Sequence, residues 1–166
     1  MIEILSNNTQ IVILAGGKGT RLSSLNKGLP KSLTPLLGIP IIEHQIRFCK
    51  SQGFNNFLLV LCYKSELIKE YLIKNPIKGI TLKYFVENNA RGTGGALFSC
   101  LDFLEEFFFV IYSDTFFTID FYHFLNKFRE KLSIQRDSLG MILVHPNNHP
   151  FDSDLVEIDK DQKLIA

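Results

Sequence analysis

The chain has 166 residues, 46% of them hydrophobic and 21% charged, with a formal net charge of +1. Such a chain is long and apolar enough to bury a sizeable core as one soluble domain over residues 1–166, and its near-neutral balance speaks against nucleic acid as a partner. The longest apolar block, Phe107 to Tyr112, falls far short of the ~20 residues of a membrane span. The first residues lack the basic and apolar regions of a secretory signal, so a cytoplasmic location is expected.

In chain order, the first predicted element is a strand at Ile11 to Leu14, which feeds a loop with glycines at 16, 17 and 19. Glycine lacks Cβ, so its backbone can take positive φ and turn several N–H groups toward one anion. Lys18, Arg21, Lys27 and Lys31 follow, and no carboxylate stands between Glu3 and Glu43. The local potential is therefore positive, and a polyanionic ligand is expected at this loop. Two common phosphate-binding patterns do not fit. The Rossmann pattern needs a third glycine where this chain has Leu22, and the Walker pattern needs Ser or Thr after Gly-Lys, where Gly19 stands.

Gly38-Ile39-Pro40 predicts a turn, and Ile42, Ile46 and Cys49 recur at helical spacing until Gly53. Asn56 to Cys62 is almost wholly apolar, as expected of a strand covered on both faces. Ser65 then suits the cap of a helix ending at Asn75-Pro76. Further strands are predicted at Ile80 to Val86, Phe107 to Tyr112 and Leu139 to Val144. Glu87 to Gly95 is expected as a loop before a short helix, Ala96 to Leu101. Phe121, Phe124, Leu125, Phe128 and Leu132 mark an amphipathic helix behind Asp120 as cap. Asp154 to Ile165 reads as a hairpin around Lys160-Asp161-Gln162. Cys49, Cys62 and Cys100 are odd in number and lack Cys-x-x-Cys spacing, which fits free thiols used in packing.

Strands alternating with helices predict a doubly wound α/β domain with a mostly parallel sheet and helices on both faces. In such sheets ligands sit beyond the carboxyl ends of the strands. Residues 15–21, 87–95 and 113–115 all fall at those ends.

The stretch Gly17-Lys18-Gly19-Thr20-Arg21, followed by Pro30-Lys31, resembles the signature of the sugar-phosphate nucleotidyltransferases. The block ENNARGTGG from Glu87 to Gly95 resembles the same family's second signature, where a Gly-Thr-Gly/Ala-Gly turn touches the nucleotide base. Ser113-Asp114 stands where the family usually has Gly-Asp. The resemblance implies a Rossmann-like nucleotidyltransferase domain that uses Mg2+. Its substrates would be a nucleoside triphosphate and a sugar 1-phosphate, and it leaves a homo-oligomer open. It assigns nucleotide binding to Leu14, Ala15, Gly16, Gly17, Gly19, Thr20, Glu87, Gly92 and Thr93. Arg21 and Lys31 become the catalytic cations and Asp114 the metal ligand.

An acceptor-only carboxylate at Glu87 would suit guanine, whose N1–H and exocyclic amine present adjacent donors, so GTP is the expected nucleotide. Read from the residues alone, the same loop is better taken as a helix-capping loop with Thr93 as cap and Glu87 solvated, and Asp114 as an N-terminal cap or turn former; beside the first motif the binding reading is preferred. The segment His145 to Glu157 resembles the members that load heptose 1-phosphate with a guanosine nucleotide, and mannose 1-phosphate is the other acceptor of that type. His145, His149, Asp152 and Asp154 would make a metal cluster, but two X-Pro steps deny them the helix that would gather them, so solvated loop histidines are expected. Family members continue with a Glu-Lys-Pro stretch and a later metal-binding aspartate, neither of which occurs before Ala166. A catalytically inactive nucleotide-binding or regulatory domain of the same fold therefore stays open.

Overall fold

A computed structural model describes residues 9–17, 28–135, 138–146, 155–161 and 163–165. The chain divides into two compact units, Met1–Phe124 and Leu125–Ala166.

The first unit is an α/β layer structure. Strands β1 (Gln10–Ala15), β4 (Asn56–Leu61), β5 (Thr81–Val86) and β6 (Phe108–Tyr112) form one sheet in the order β5-β4-β1-β6. Every pairing in it is parallel. A short antiparallel hairpin, β2 (Pro35–Leu36) with β3 (Ile39–Pro40), stands apart. Leu37 and Gly38 join its arms with φ of 52° and 82°, the two positive values that a two-residue primed turn requires.

The central strands are buried on both sides, as their unbroken apolar runs demand. Ile11, Val12, Ile13, Leu58, Leu59 and Leu61 are wholly inaccessible. On one face Val12, Leu58 and Val60 pack with Ala96 and Cys100, contributed by and just beyond α3 (Gly92–Ser99). The opposite face carries Phe109, whose ring meets Phe54 and Phe121 at centroid distances of 5.7 and 4.8 Å. Phe48 of α1 (Ile41–Ser51) stacks on Phe121 in turn, so helices flank both faces. Helix α2 (Ser65–Lys74) connects β4 to β5. Between α1 and α2, buried Glu43 accepts hydrogen bonds from Arg47 and from the Tyr71 hydroxyl. Burial pushes the Glu43 carboxyl up, but those hydrogen bonds outweigh it and hold the group below its usual value.

Three local expectations are corrected. Glycines 92, 94 and 95 are expected in a loop, yet α3 begins at Gly92 and includes them. Ser65 does not cap α2: it is the first helical residue, and the preceding position is Lys64 in the left-handed region. Leu139 to Val144 takes no strand structure, and its apolar side chains are largely exposed. By contrast, Asp120 caps α4 (Phe121–Ile134) through its Oδ1, which accepts the His123 N–H at 2.9 Å.

The second unit contains the end of α4 and the expected hairpin. Ile158 and Leu164 form an antiparallel bridge, with Asp159 N–H donating to the Lys163 carbonyl at 2.9 Å. Among the described residues no helix is long and apolar enough to cross a membrane.

Candidate active site

The strand order puts a topological switch between β1 and β6: the chain moves outward from β1 through β4 and β5, then returns to pair β6 on the other side of β1. Ligands of open α/β sheets sit beyond the strand carboxyl ends at such a point. Leu14 and Ala15 close β1, and Gly16 and Gly17 follow. Lys18, Gly19, Thr20 and Arg21 lie outside the described residues.

Of the two described glycines, neither has positive φ, so the expected left-handed backbone is not what requires them. A Cβ on Gly16 would stand 3.1 Å from Cys62 Cβ and 3.8 Å from Glu87 Oε2, so there the need is close approach. A Cβ on Gly17 would meet nothing among the described residues within 4 Å. That open space is what an approaching ligand would use. The far end of the loop is tethered where Lys64 Nζ donates to the Gly28 carbonyl at 2.6 Å.

The register explains why Gly16 and Glu87 meet. Ala15 pairs with Leu61, and Leu61 with Val86, so Gly16, Cys62 and Glu87 form a row one residue past the sheet. Glu87 is buried, and its Oε1 has no hydrogen-bond partner among the described residues. A desolvated carboxylate oxygen left unpaired is costly, and such an atom in a native structure calls for an absent donor. The same charge, after burial, helps push the Cys100 thiol up. Cys49 is raised to about 12 by burial, and the cysteines are free; Cys49 and Cys100 are buried packing residues, as expected.

At the opposite end of the row, Ser113-Asp114 follows β6, and Ser113 N–H donates to the Leu14 carbonyl at 3.1 Å. Lys31 begins a short 3-10 turn (Lys31–Leu33) and reaches Asp114: its Nζ lies 2.5 Å from Oδ2. Two residues expected to act on phosphate and metal are thus already in contact, each side chain about one-third exposed. Thr93, in the first turn of α3, shares a 3.1 Å hydrogen bond with the Tyr112 hydroxyl. That bond ties the glycine-rich helix start to the last residue of β6, two positions before Asp114. Gly92 has φ +73° and open space beside it.

With three intervals of roughly 4.8 Å between β5 and β6, Glu87 and Asp114 stand about 14 Å apart across the sheet edge, with the glycine turn between them. That span accommodates an extended mononucleotide, its base at one end and its phosphates at the other.

Two positions carry the site without having been singled out in the sequence. Gln45 binds the turn around Asp114, and Tyr112 binds Thr93. Gln45 had a usable signal, since it interrupts the apolar face formed by Ile42, Ile46 and Cys49; Tyr112 had none. His145 is exposed, and its Nδ1 lies 2.8 Å from the Pro146 carbonyl oxygen. His149, Asp152 and Asp154 lie outside the described residues, and no group of three or more metal-ligating side chains occurs among the described ones.

This fold and this edge define a nucleotide-handling α/β protein, and the chain belongs to the nucleotidyl transferase family, whose pattern matches residues 10–165. Among its relatives is the D-glycero-alpha-D-manno-heptose 1-phosphate guanylyltransferase of Campylobacter jejuni, 35% identical over 95% of this chain and 66% of that protein. A bifunctional GlmU protein of Methanococcus maripaludis is 30% identical over 93% of this chain and 34% of its own length. Among solved structures, HddC of Yersinia pseudotuberculosis complexed with GMP-PN superposes with a TM-score of 0.65 at 34% identity, covering 72% of this chain and 53% of that one. The chain thus spans between one third and two thirds of the length of these relatives.

Proposed function

We propose that this protein transfers a nucleoside monophosphate from GTP to a sugar 1-phosphate, heptose or mannose, releasing pyrophosphate in the cytoplasm. The observation that carries the choice of nucleotide is the buried Oε1 of Glu87, which has no partner among the described residues. A carboxylate held against Gly16 can accept the two adjacent donors of guanine, whereas uracil offers a single N–H between two carbonyls. The names of the Campylobacter and Yersinia relatives support the same choice.

The acceptor is already an anionic nucleophile, so no general base is needed. An oxygen of the sugar 1-phosphate attacks the α-phosphorus in line. The bond from that phosphorus to the α,β-bridging oxygen breaks, and pyrophosphate leaves with the electron pair. Leu14, Ala15, Gly16, Gly17, Gly19 and Thr20 are assigned to binding the triphosphate. Arg21 neutralises the departing phosphates and Lys31 the charge at the reaction centre. Gly92 and Thr93 sit beside the base.

Asp114 suits magnesium: it is a partly exposed carboxylate at a strand end, and magnesium is commonly held by one or two carboxylates together with substrate phosphates and waters. When bound, the ion would draw charge from the phosphate oxygens. Asp114 would hold it, and Lys31, released from Asp114, would turn to the phosphate.

Calorimetric titration with GTP and UTP tests the reading. The chain is expected to prefer GTP, and Glu87→Gln, which exchanges an acceptor for a donor, is expected to shrink that preference by about tenfold or more. Absence of GTP binding at low salt, or a preference unmoved by Glu87→Gln, would overturn it.

A further inference from the structure

Asp114 occupies the third position of a four-residue turn, Tyr112 to Thr115, which is closed by a hydrogen bond of only 3.3 Å from Thr115 N–H to the Tyr112 carbonyl. Residues 113–120, which lead from β6 to α4, form no helix or strand that would hold this turn. What holds it, besides the bond from Ser113 N–H to the Leu14 carbonyl, is a side chain. Gln45, on α1 and 3% exposed, donates from Nε2 to the Tyr112 carbonyl at 2.7 Å and to the Thr115 carbonyl at 2.6 Å. Both amide hydrogens are therefore used, and they bracket Asp114 from its two sides.

The chemistry at this point is selective. Two converging carbonyl oxygens need two donors from one small group. A carboxylate would set lone pairs against lone pairs, and an ammonium would bring a charge into a buried position. The amide orientation is dictated by those two acceptors. As a result Gln45 Oε1 is buried with no partner among the described residues. An apolar side chain of equal length would avoid that cost, but it could not hold two carbonyls at fixed points around Asp114.

A second glutamine supplies the contrast. Gln52, seven residues on, donates to the Ile119 carbonyl at 2.7 Å and accepts the Phe121 N–H at 2.9 Å. Both halves of that amide are satisfied, and its contacts lie at the far end of the same segment.

We propose that Gln45 is a positioning residue for metal binding: it fixes the turn that aims the Asp114 carboxylate, and so sets how strongly a divalent cation bridges the protein and the nucleotide phosphates. This rests on the assignment of Asp114 to the metal. Groups behind a metal ligand typically alter metal affinity by about ten- to a hundredfold when removed.

The test is equilibrium binding. Calorimetry on the full chain compares the dissociation constant of metal-free GTP, in chelator, with that of Mn2+-GTP, and the ratio measures the metal's own contribution. Gln45→Met, which keeps length without donors, is expected to shrink this ratio by about tenfold. Gln45→Asn, which keeps the amide but falls short, serves the same purpose if the Met variant does not fold. Gln52→Met is expected to lower the melting temperature and leave the ratio unchanged. Asp114→Asn is expected to abolish the metal's contribution. If Asp114→Asn loses the ratio while Gln45→Met and Gln45→Asn keep it, Gln45 has no positioning role. If Gln45→Met and Gln52→Met shift the ratio equally, the effect is general loosening and the proposal fails. A ratio unchanged in Asp114→Asn would instead remove the metal assignment itself.

Discussion

Replacing Lys31 by alanine separates a catalytic cation from a structural one, because the geometry makes the two roles differ in size. Lys31 Nζ stands 2.5 Å from Asp114 Oδ2, with both side chains 35% exposed. At that separation Coulomb's law with the dielectric of water gives about 1.7 kcal/mol. Ordering two side chains and screening by salt reduce such exposed pairs to about 0–1 kcal/mol net. Lys31→Ala should therefore move the melting temperature by no more than about 4 °C. Loss of a charge donor that acts in the transition state is a larger effect, on the order of a hundredfold in turnover. The pair also predicts competition. With Lys31 gone, Asp114 is released, and Mn2+ binding without nucleotide should tighten by up to about fivefold, the equivalent of the pair's net energy. Thermal melting, pyrophosphate release in single turnover, GTP calorimetry and Mn2+ titration read the four quantities. If turnover and GTP affinity fall in equal proportion, Lys31 contributes uniform binding and not catalysis. If the melting temperature collapses, the pair is structural.

The two described glycines of the first loop should fail differently. Gly16→Val forces a side chain against Cys62 and Glu87 and should cost about 1–3 kcal/mol of stability, seen in denaturant unfolding. Gly17→Val meets open space, so its stability should stay within about 0.5 kcal/mol while GTP affinity falls at least about tenfold. Normal GTP binding by Gly17→Val would remove the loop from the phosphate site. The Glu43 cluster is a separate matter of stability. Because its carboxyl is held below the usual value, the charged form is favoured by folding, and this contribution is present above about pH 4.5 and lost as pH falls through the folded value. Glu43→Gln should cost about 2 kcal/mol at pH 7 and flatten the acid limb of the stability profile. An unchanged acid limb would show that the cluster adds nothing.

The parts of the fold that could be read from sequence are those whose cause is local. Ile11 to Leu14 and Asn56 to Cys62 are apolar on both sides of the pleat, as strands buried in a parallel sheet need to be; Phe107 to Tyr112 has the same composition but lies at the sheet edge, with Phe108 and Tyr112 exposed. Asp120 caps α4 because the helix leaves its first N–H groups unsatisfied, whatever surrounds it. Where the cause is tertiary, the sequence misleads. Glycines 92, 94 and 95 are poor helix formers, yet α3 starts there, with Thr93 bound to Tyr112 and Gly95 packed so tightly on Arg91 that a Cβ would clash. Leu139 to Val144 has the composition of a strand, but a strand exists only with a paired edge. The meeting of Lys31 with Asp114, 83 positions apart, has no local signature at all.

These contacts divide the site into a satisfied end and an unsatisfied one. At Asp114 every charge has a partner: Lys31 neutralises the carboxylate, and Gln45 steadies the turn beneath it. A cation arriving with phosphate could replace the lysine, and the lysine would have a new anion within reach, so the exchange would conserve charge. At Glu87 the free state is the costly one, since Oε1 has lost water and gained no donor. A base that supplies donors there relieves a penalty already present in the fold, whereas one that presents a carbonyl adds to it. Under the proposed function, selectivity would arise at the buried end, where a mismatched pair is most expensive, and reactivity at the exposed end, where charges can still change partners. The parallel sheet makes this division possible by delivering both ends to one edge while keeping them three strands apart.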